Sequence, residues 1–215
     1  MKSEKDVCNV LPAMSSDELL INKYEVLKKN FFARKTDTVA RDLLGKLIVR
    51  KTKKGILSGK VVETEAYFGN GNDPASHAYR GPTVRSSIMF GEPGRAYVYF
   101  NYGVHWLLNF VAKEGDGAGA VLVRAVQPVE GVDEMAKNRA TDVSNITNGP
   151  AKLTQALAID GSFNDIDVTD DNGKLYVANF LTSQFKVVKS GRIGIKKGAD
   201  LQLRFCIKDN PFVSR

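Results

Sequence analysis

The chain has 215 residues, which is enough for one large domain or two small ones with a sizeable core. Its 43% hydrophobic and 26% charged residues are ordinary for a soluble globular protein, and no apolar run approaches the roughly 18 residues that a membrane span needs. The net charge of +7 favours a polyanionic partner, nucleic acid or an anionic membrane face, although a basic surface can also serve solubility alone.

The compartment is predicted from the absence of signals. Cys8 and Cys206 lie near opposite ends of the chain, so they offer neither a metal-binding spacing nor a disulfide framework. The first twenty residues mix acids with lysines and lack the apolar stretch of a secretory signal. We therefore expect a reducing compartment: a prokaryotic cytoplasm, with nucleoid association, or the nucleus if the source is eukaryotic.

Two helices are predicted before the first strand. One begins at Ser15, where Glu18 completes a capping box, and continues through residues 19–30. The second covers TVARDLLGK (38–46), with Thr36 or Thr38 as its N-cap.

The remainder of the chain alternates between strands and helices in a pattern typical of an α+β domain. Helices are predicted at 130–139 and 150–159. Strand-like runs occur at 46–52, 59–68, 96–103, 105–114, 119–128, 174–180, 185–195 and 201–207. Because short turns join consecutive strands, the sheet is expected to be largely antiparallel, within a single domain.

The segment VVETEAY (61–67) places two acids and a ring at alternate positions of a strand. Glu63, Glu65 and Tyr67 would therefore point to the same side of the sheet. Such a face is either solvated or lines a polar pocket, and the segment alone favours the solvated face.

The segment RAYVYFNYG (95–103) is dense in aromatic residues. Aromatic side chains usually fill the core of a sheet, but alternation puts Tyr97 and Tyr99 on one face and Phe100 and Tyr102 on the other. A tyrosine followed by glycine at a strand end is well placed to project outward. Exposed rings on a basic protein can stack on bases or wedge between base pairs.

Two glycine-containing segments invite a phosphate-binding interpretation. GDGAG (115–119) leads into a strand rather than a helix, so it does not fit a nucleotide-binding loop, and Asp116-Gly117 predicts a hairpin turn. NGPAK (148–152) precedes a helix, where free backbone amides and Lys152 could hold a phosphate. An ordinary helix start explains the same residues.

Three further polar residues stand out. Arg124 lies inside the apolar run VLVRAV, and a buried arginine needs a partner, for which Glu65 on a neighbouring strand is a candidate. His77 and His105 lie in separate segments and form no metal-binding pattern, so no metal is predicted.

Seven segments, taken together and in this order, resemble the alkyladenine (3-methyladenine) DNA glycosylase family over roughly residues 30–214. They are ARDLLGKLIVR (40–50), VVETEAY (61–67), SHAYRG (76–81), MFGEPGRAYVYFNYGVHWLLN (89–109), GDGAGAVLVRAVQPVEG (115–131), NGPAKLTQALAI (148–159) and NPFVS (210–214). A match of this length is far more specific than any single segment.

The resemblance implies a fold and an activity. The fold is a single mixed α+β domain with a curved, largely antiparallel sheet and surrounding helices, covering residues 26–215 after a lead-in at 1–25. The activity is monofunctional excision of alkylated or deaminated purines from duplex DNA: 3-methyladenine, 7-methylguanine, hypoxanthine or ethenoadenine. The implied partner is double-stranded DNA containing such purines, bound by a monomer without membrane or cofactor.

The resemblance also implies catalytic and DNA-binding roles. Glu65 would be the general base for the attacking water, and Arg124 would help to hold both. Tyr102 would wedge into the duplex where the base has left. His105 lies in a segment expected to face DNA, and Lys152 is predicted to contact phosphate from its place at the helix start of 148–152.

A second group of residues would bind the base. Tyr67, His77 and Tyr99 would line the pocket and stack on the flipped base, and His77 would also hydrogen-bond its edge. Asn109 would oppose the exocyclic amino group of normal guanine.

Two other classes of function remain open from the residues alone. A non-catalytic nucleic-acid-binding module explains the charge and the aromatic residues, but not Glu65 beside Tyr67 together with a buried Arg124. A basic protein-interaction domain is the third interpretation. Excision of a lesion base from a duplex, detected by alkaline cleavage of the abasic site, distinguishes the enzyme from both.

Overall fold

The computed structural model describes residues 24–69, 71, 73–180 and 183–214. Within this part of the chain, four short α-helices and eight strands form one α+β domain, which confirms the predicted fold class. The helices are α1 (Lys29–Phe32), α2 (Thr36–Asp42), α3 (Val132–Arg139) and α4 (Pro150–Ala156). The strands are β1 (Leu47–Thr52), β2 (Gly55–Phe68), β3 (Ala96–Asn101), β4 (His105–Val111), β5 (Gly119–Glu130), β6 (Leu175–Ala178), β7 (Val187–Ser190) and β8 (Arg204–Ile207).

Strand β2 is the central strand of a curled antiparallel sheet. The strand order is β3-β4-β5-β2-β1-β6, and β8 joins both β2 and β7. One edge of β2 pairs with β5 along most of its length. The other edge is divided, because residues 55–60 pair with β1 and residues 63–65 pair with β8. Three neighbours therefore meet on one strand, which accounts for its 14 residues.

The middle of β2 is irregular where it passes β5. The register shifts between Val61 and Glu63, and again between Glu63 and Thr64. Irregularities of this kind bend a strand and re-aim side chains. On β5, Arg124 lies between the residues that pair with Glu63 and Thr64, so the irregularity lies directly beside this arginine.

The two faces of β5 serve different purposes. Val121, Val123 and Ala125 belong to the main hydrophobic core, which α2 and α4 cover. The alternate residues, among them Leu122 and Arg124, face a cavity on the opposite side. Alternation along a strand thus separates the packed core from the candidate site.

The helix predicted from Ser15 to residue 30 is wrong over residues 24–28, the part of it that the structure describes before α1. Its start at Ser15, with the Glu18 capping box, lies outside the described residues. From residue 24 onward the chain runs along the end of β6 before the single turn of α1, with the Leu27 amide donating to the Val177 carbonyl at 2.8 Å. Pairing with the sheet has overridden the helical periodicity.

The predicted cap of α2 is also wrong. Lys35 occupies the N-cap position and makes no side-chain cap bond. Thr36 lies inside the helix, and its hydroxyl donates instead to the Ala112 carbonyl at 2.8 Å. Because this carbonyl lies in the buried contact between helix and sheet, the tertiary hydrogen bond replaces a local one.

The contact between α2 and the start of β5 predicts a position that tolerates no side chain. A Cβ atom on Gly119 would lie 2.3 Å from the Thr36 hydroxyl oxygen and 2.5 Å from the Ala112 carbonyl oxygen. We expect Gly119→Ala to lower the free energy of unfolding by about 1–3 kcal/mol, the range for overpacking. Urea denaturation measures this change.

Gly149→Ala provides the control for that substitution. Its Cβ would approach only the flexible Lys152 side chain, at 3.4 Å. Because Gly149 is the N-cap of α4, where alanine is less favourable than glycine, its loss is expected to stay at or below about 1 kcal/mol. Equal losses in the two variants would contradict the packing account.

Candidate active site

A row of directly paired residues crosses five strands and defines the floor of the site. Tyr97 pairs with Asn109, which pairs with Leu122. Leu122 pairs with Glu65, and Glu65 with Arg204. Directly opposed side chains in a sheet lie on the same face. The row therefore brings together polar residues that are far apart in the sequence.

A cavity of about 270 Å³ lies over this row. Its volume is slightly below the roughly 300–1,000 Å³ of pockets for drug-sized ligands, so it suits a small ring system. Aromatic and polar side chains make up about half of the wall, and small or aliphatic residues make up the rest. The lining residues are Tyr67, Ala75, His77, Met89, Tyr97, Tyr99, Asn101, Tyr102, Leu107, Asn109, Ala120, Leu122, Arg124, Pro150, Ile193, Gly194 and Ile195.

Glu65 lies one layer behind the wall and is fully buried. Its Oε1 accepts a hydrogen bond from the Ile193 amide at 2.7 Å and lies 3.3 Å from Arg124 Nη1. Its Oε2 accepts a hydrogen bond from the Tyr67 hydroxyl at 2.7 Å. All three of these neighbours line the cavity. The predicted pair between Arg124 and Glu65 is therefore present at the cavity wall.

Glu63 is also fully buried, so the interpretation of residues 61–67 as a solvated strand face is wrong. Its Oε1 lies 2.9 Å from Arg124 Nε and 2.6 Å from Arg204 Nε. Both glutamates thus reach the same Arg124 guanidinium, which confirms that they share a face of β2. Two carboxylates and two guanidinium groups form a buried cluster in which each charge has an opposite partner.

Three rings form one wall of the cavity. The ring centroids of His77 and Tyr99 are 4.8 Å apart at an interplanar angle of 76°, and those of Tyr97 and Tyr99 are 5.1 Å apart. His77 Nδ1 and the Tyr97 hydroxyl are hydrogen-bonded at 2.8 Å. This bond orients the imidazole against the cavity.

Burial keeps this wall uncharged. It lowers the pKa of His77, and the positive charge of Arg85 lowers it further. It raises the pKa of Tyr99 to about 12. Burial, followed by the negative charge of Glu65, also raises the pKa of Tyr67. Neutral rings therefore face the cavity at neutral pH.

Asn109 lies in the cavity floor and is 4% exposed. Its Nδ2 donates to the Tyr97 carbonyl at 3.0 Å, across the β3–β4 pair. The bond orients the side-chain amide, so the polar group that the sequence predicted for base recognition has a defined position.

Tyr102 stands at the tip of the β3–β4 hairpin and is 88% exposed. Its backbone is left-handed, with φ of 51°, and Gly103 continues the turn with φ of 69°. Pairing between Asn101 and His105 closes the hairpin, and His105 is exposed beside the tip. The tight turn projects the ring away from the sheet while it still borders the cavity.

Lys152 lies in the first turn of α4 and is engaged by protein groups. Its Nζ donates to Asn145 Oδ1 at 2.6 Å and to Asn148 Oδ1 at 3.0 Å. An ammonium group has three N–H donors, so one remains beyond these two bonds. The phosphate contact of Lys152 stays a prediction.

The ion pair between Asp73 and Arg192 was not anticipated. Both side chains are fully buried, and the two nitrogens of Arg192 reach the two carboxylate oxygens at 2.5 and 2.7 Å. The guanidinium carbon also lies 4.5 Å from the Tyr67 ring centroid. The pair joins the segment that carries His77 to the segment that carries Ile193. No local pattern in the sequence signals it, because Asp73 lies in a polar loop and Arg192 lies in a run predicted as a strand, 119 residues further along the chain.

Cys206 is a free thiol buried in β8, where burial raises its pKa to about 11. Among residues 24–69, 71, 73–180 and 183–214, no group of three or more His, Cys, Asp and Glu residues is arranged to hold a metal ion. None of the helices in the same part of the chain is long and apolar enough to cross a membrane.

Comparison with known proteins places this chain in a family. The profile of the methylpurine-DNA glycosylase family matches residues 30–211. A protein of Prosthecochloris aestuarii is 48% identical over 190 residues, covering 87% of this chain and 90% of the relative. A protein of Carboxydothermus hydrogenoformans is 44% identical over 191 residues, covering 88% and 99%. Both bear the name "Putative 3-methyladenine DNA glycosylase".

A third relative, from Francisella tularensis subsp. tularensis, is 43% identical over 184 residues, covering 84% of this chain and 94% of the relative, and has the same name. The family match spans the strands that build the cavity and its charged cluster. The resemblance inferred from the seven sequence segments is confirmed. This chain belongs to the methylpurine-DNA glycosylase family of DNA-repair hydrolases.

Proposed function

We propose that this DNA glycosylase turns an alkylated or deaminated purine out of duplex DNA into the aromatic cavity and hydrolyses its N-glycosidic bond with a water activated by Glu65. The lesions are of the 3-methyladenine, 7-methylguanine, hypoxanthine and ethenoadenine class, and the product is an abasic site. The observation that carries the proposal is the buried Glu65, bound by three residues of the cavity wall.

The contacts of Glu65 suit a base that holds one water. A carboxylate has about four acceptor positions. The Ile193 amide uses one on Oε1, where Arg124 Nη1 lies 3.3 Å away as an ion-pair partner, and the Tyr67 hydroxyl uses one on Oε2. Tyr67 is the only donor to Oε2 among the described residues, so this oxygen could accept a further hydrogen bond from a water. Catalytic hydrogen bonds commonly tighten only in the substrate complex, so a base behind the wall is compatible with this role.

The chemistry requires little beyond this base. Breaking the N-glycosidic bond builds an oxocarbenium-like sugar, as in glycoside hydrolysis. The carboxylate of Glu65 would stabilise that positive charge and orient the attacking water. 3-Methyladenine and 7-methylguanine are cationic while attached to the sugar and leave as neutral bases when they take the electron pair of the broken bond, so no second carboxyl group is needed to protonate them. Because water is the nucleophile, the enzyme would be monofunctional, with no lysine Schiff base.

The cavity wall would select the base. The electron-rich faces of Tyr67 and Tyr99 favour a cationic purine by about 1–2 kcal/mol when desolvated. His77, whose pKa is lowered, would offer a neutral hydrogen-bonding edge. Asn109, oriented by the Tyr97 carbonyl, would meet the exocyclic amino group of guanine and penalise the normal base.

The protein surface would supply binding to DNA without reading sequence. The base must leave the stack before its sugar can be attacked, and the exposed Tyr102 ring would fill the gap. Basic side chains give affinity for phosphates regardless of sequence, in keeping with a net charge of +7. A monomer would suffice for this task, with His105 and Lys152 at the DNA-facing surface.

Glu65→Gln tests the base directly. The amide keeps the size of the side chain but cannot take a proton from water. We expect single-turnover excision of hypoxanthine or 7-methylguanine to fall by at least about 100-fold, with lesion-duplex affinity retained. Glu134→Gln, which changes a half-buried carboxylate paired with the exposed Lys54, is the control and should cut at the wild-type rate. An active Glu65→Gln enzyme would refute the assignment.

The nucleophile has a separate test. Sodium borohydride traps Schiff-base intermediates between a lysine and the sugar. If water is the nucleophile, borohydride added during excision should trap no covalent enzyme–DNA adduct. A trapped adduct would show that an amine attacks the sugar.

Tyr102→Ser tests the wedge. Because the ring is 88% exposed, its loss should leave the thermal midpoint nearly unchanged. We expect weaker binding of lesion duplex, by about 1–3 kcal/mol, the range for loss of one stacked ring. Phe185→Ser, which removes another exposed ring that does not line the cavity, is the control. Unchanged affinity in Tyr102→Ser would count against the wedge.

The acidic side of the pH profile should depend on His77. Its pKa lies below the ordinary value of 6.5, so the ring stays neutral at neutral pH and gains a proton only below that value. Protonation would set a cation against a cationic purine, and 7-methylguanine excision should fall as the pH decreases. His77→Gln has no such proton, so this part of the decline should disappear. Identical profiles for the two enzymes would contradict the assignment.

A further inference from the structure

Glu63, which is fully buried and does not line the cavity, gathers four hydrogen bonds. Its Oε1 accepts from Arg124 Nε at 2.9 Å, Arg204 Nε at 2.6 Å and Ser214 Oγ at 2.9 Å. Its Oε2 accepts from the Ser214 amide at 2.7 Å. A buried carboxylate requires such partners. Here they come from β5, β8 and the segment after β8.

These contacts settle the orientation of Arg124. A guanidinium group is planar, and its Nε and Nη2 form one edge. Glu63 binds Nε at 2.9 Å, and Nη2 donates to Ser214 Oγ at 3.3 Å, so this edge is occupied. Nη1 on the other side is left to face Glu65 at 3.3 Å. The plane of the arginine is therefore set from behind the cavity wall.

The same arrangement limits how strongly Arg124 engages Glu65. An arginine free to rotate would form a bidentate pair with a carboxylate. Held by Glu63, Arg124 gives Glu65 a single 3.3 Å contact, compared with 2.9 Å for its own contact with Glu63. Glu65 keeps acceptor capacity for water, while the cation stays near enough to stabilise negative charge.

We infer that Glu63 is a positioning residue for base excision, which acts by holding Arg124 in the plane that serves Glu65, and that Ser214 fastens this support. The inference rests on the proposed function, in which Glu65 activates the water. It assigns distinct roles to two glutamates that lie two residues apart on one strand: one for the water, and one for the arginine.

Glu63→Gln is the first test. The amide can still accept from Arg124 Nε, but the charge that holds the guanidinium is gone, so Arg124 should turn towards Glu65. Single-turnover excision is expected to fall about 10- to 100-fold, as for a small misplacement of a catalytic group. Lesion-duplex affinity, with the active fraction titrated, should change less than about twofold, because Glu63 does not line the cavity. A wild-type rate per active molecule would overturn the inference.

A double-mutant cycle distinguishes positioning from a general structural role. If Glu63 acts through Arg124, Glu63→Gln in an Arg124→Gln background should slow excision no further than Arg124→Gln alone. A structural role that only lowers stability would give effects that multiply. Multiplied losses would therefore also overturn the inference.

Ser214→Ala covers the case in which Glu63→Gln does not fold. It removes the Oγ contacts with Glu63 and Arg124. The ion pairs of Glu63 with Arg124 and Arg204 stay in place, as does the hydrogen bond from the Ser214 backbone amide. We expect a loss in rate of about threefold to tenfold, with the thermal midpoint and lesion affinity preserved. An unchanged rate in Ser214→Ala would contradict the role given to Ser214. If Glu63→Gln does not fold, the same result would overturn the whole inference.

Glu65→Gln, measured in parallel, separates failure of this inference from failure of the proposed function. If Glu65→Gln remains active, the water-activating base is misassigned and both fall. If Glu65→Gln is inactive while folded Glu63→Gln excises at the wild-type rate, only the role of Glu63 falls. Glu134→Gln again serves as the carboxylate control with an exposed partner.

Discussion

Buried charge is the constraint on which this structure depends. Glu63 and Glu65 on β2 lie beside Arg124 on the neighbouring β5, and all three are buried. An unpaired ion in such surroundings would cost several kilocalories per mole of folding free energy. The cluster is tolerable only when β2, β5 and β8 are in register, because a slip of one residue would turn these side chains into the hydrophobic core. The irregularity in the β2–β5 pairing accommodates the arginine within this register.

A second buried pair connects the charged cluster to the aromatic wall. Asp73 and Arg192 hold two segments together, and Arg192 also stacks on the Tyr67 ring. The residue after Arg192 donates its amide to Glu65, and Tyr67 donates its hydroxyl to the same carboxylate. The residues proposed for base recognition and for water activation are therefore held by shared contacts. Such preorganisation is what electrostatic catalysis requires.

The site has an uncharged aromatic side and a charged side. Burial accounts for both, because it keeps the rings neutral and requires the charges to be paired. On the aromatic side, burial lowers the pKa of His77 and raises that of Tyr99, so the wall that would receive a cationic purine is neutral. On the other side, opposed charges are close enough to stabilise one another behind the wall. One side suits selection of the base, and the other suits formation of an oxocarbenium-like sugar.

The amino-acid sequence alone determined the fold class, the strands and the family, because alternation, turn residues and long combined motifs are local signals. It also placed Glu63, Glu65 and Tyr67 on one face. Tertiary structure decided what local signals cannot carry: chain pairing at residues 25–27 in place of a helix, the hydroxyl of Thr36 turned to the sheet, and the burial of both glutamates. These outcomes depend on contacts between distant segments, as does the partnership of Glu63 with Arg124, Arg204 and Ser214.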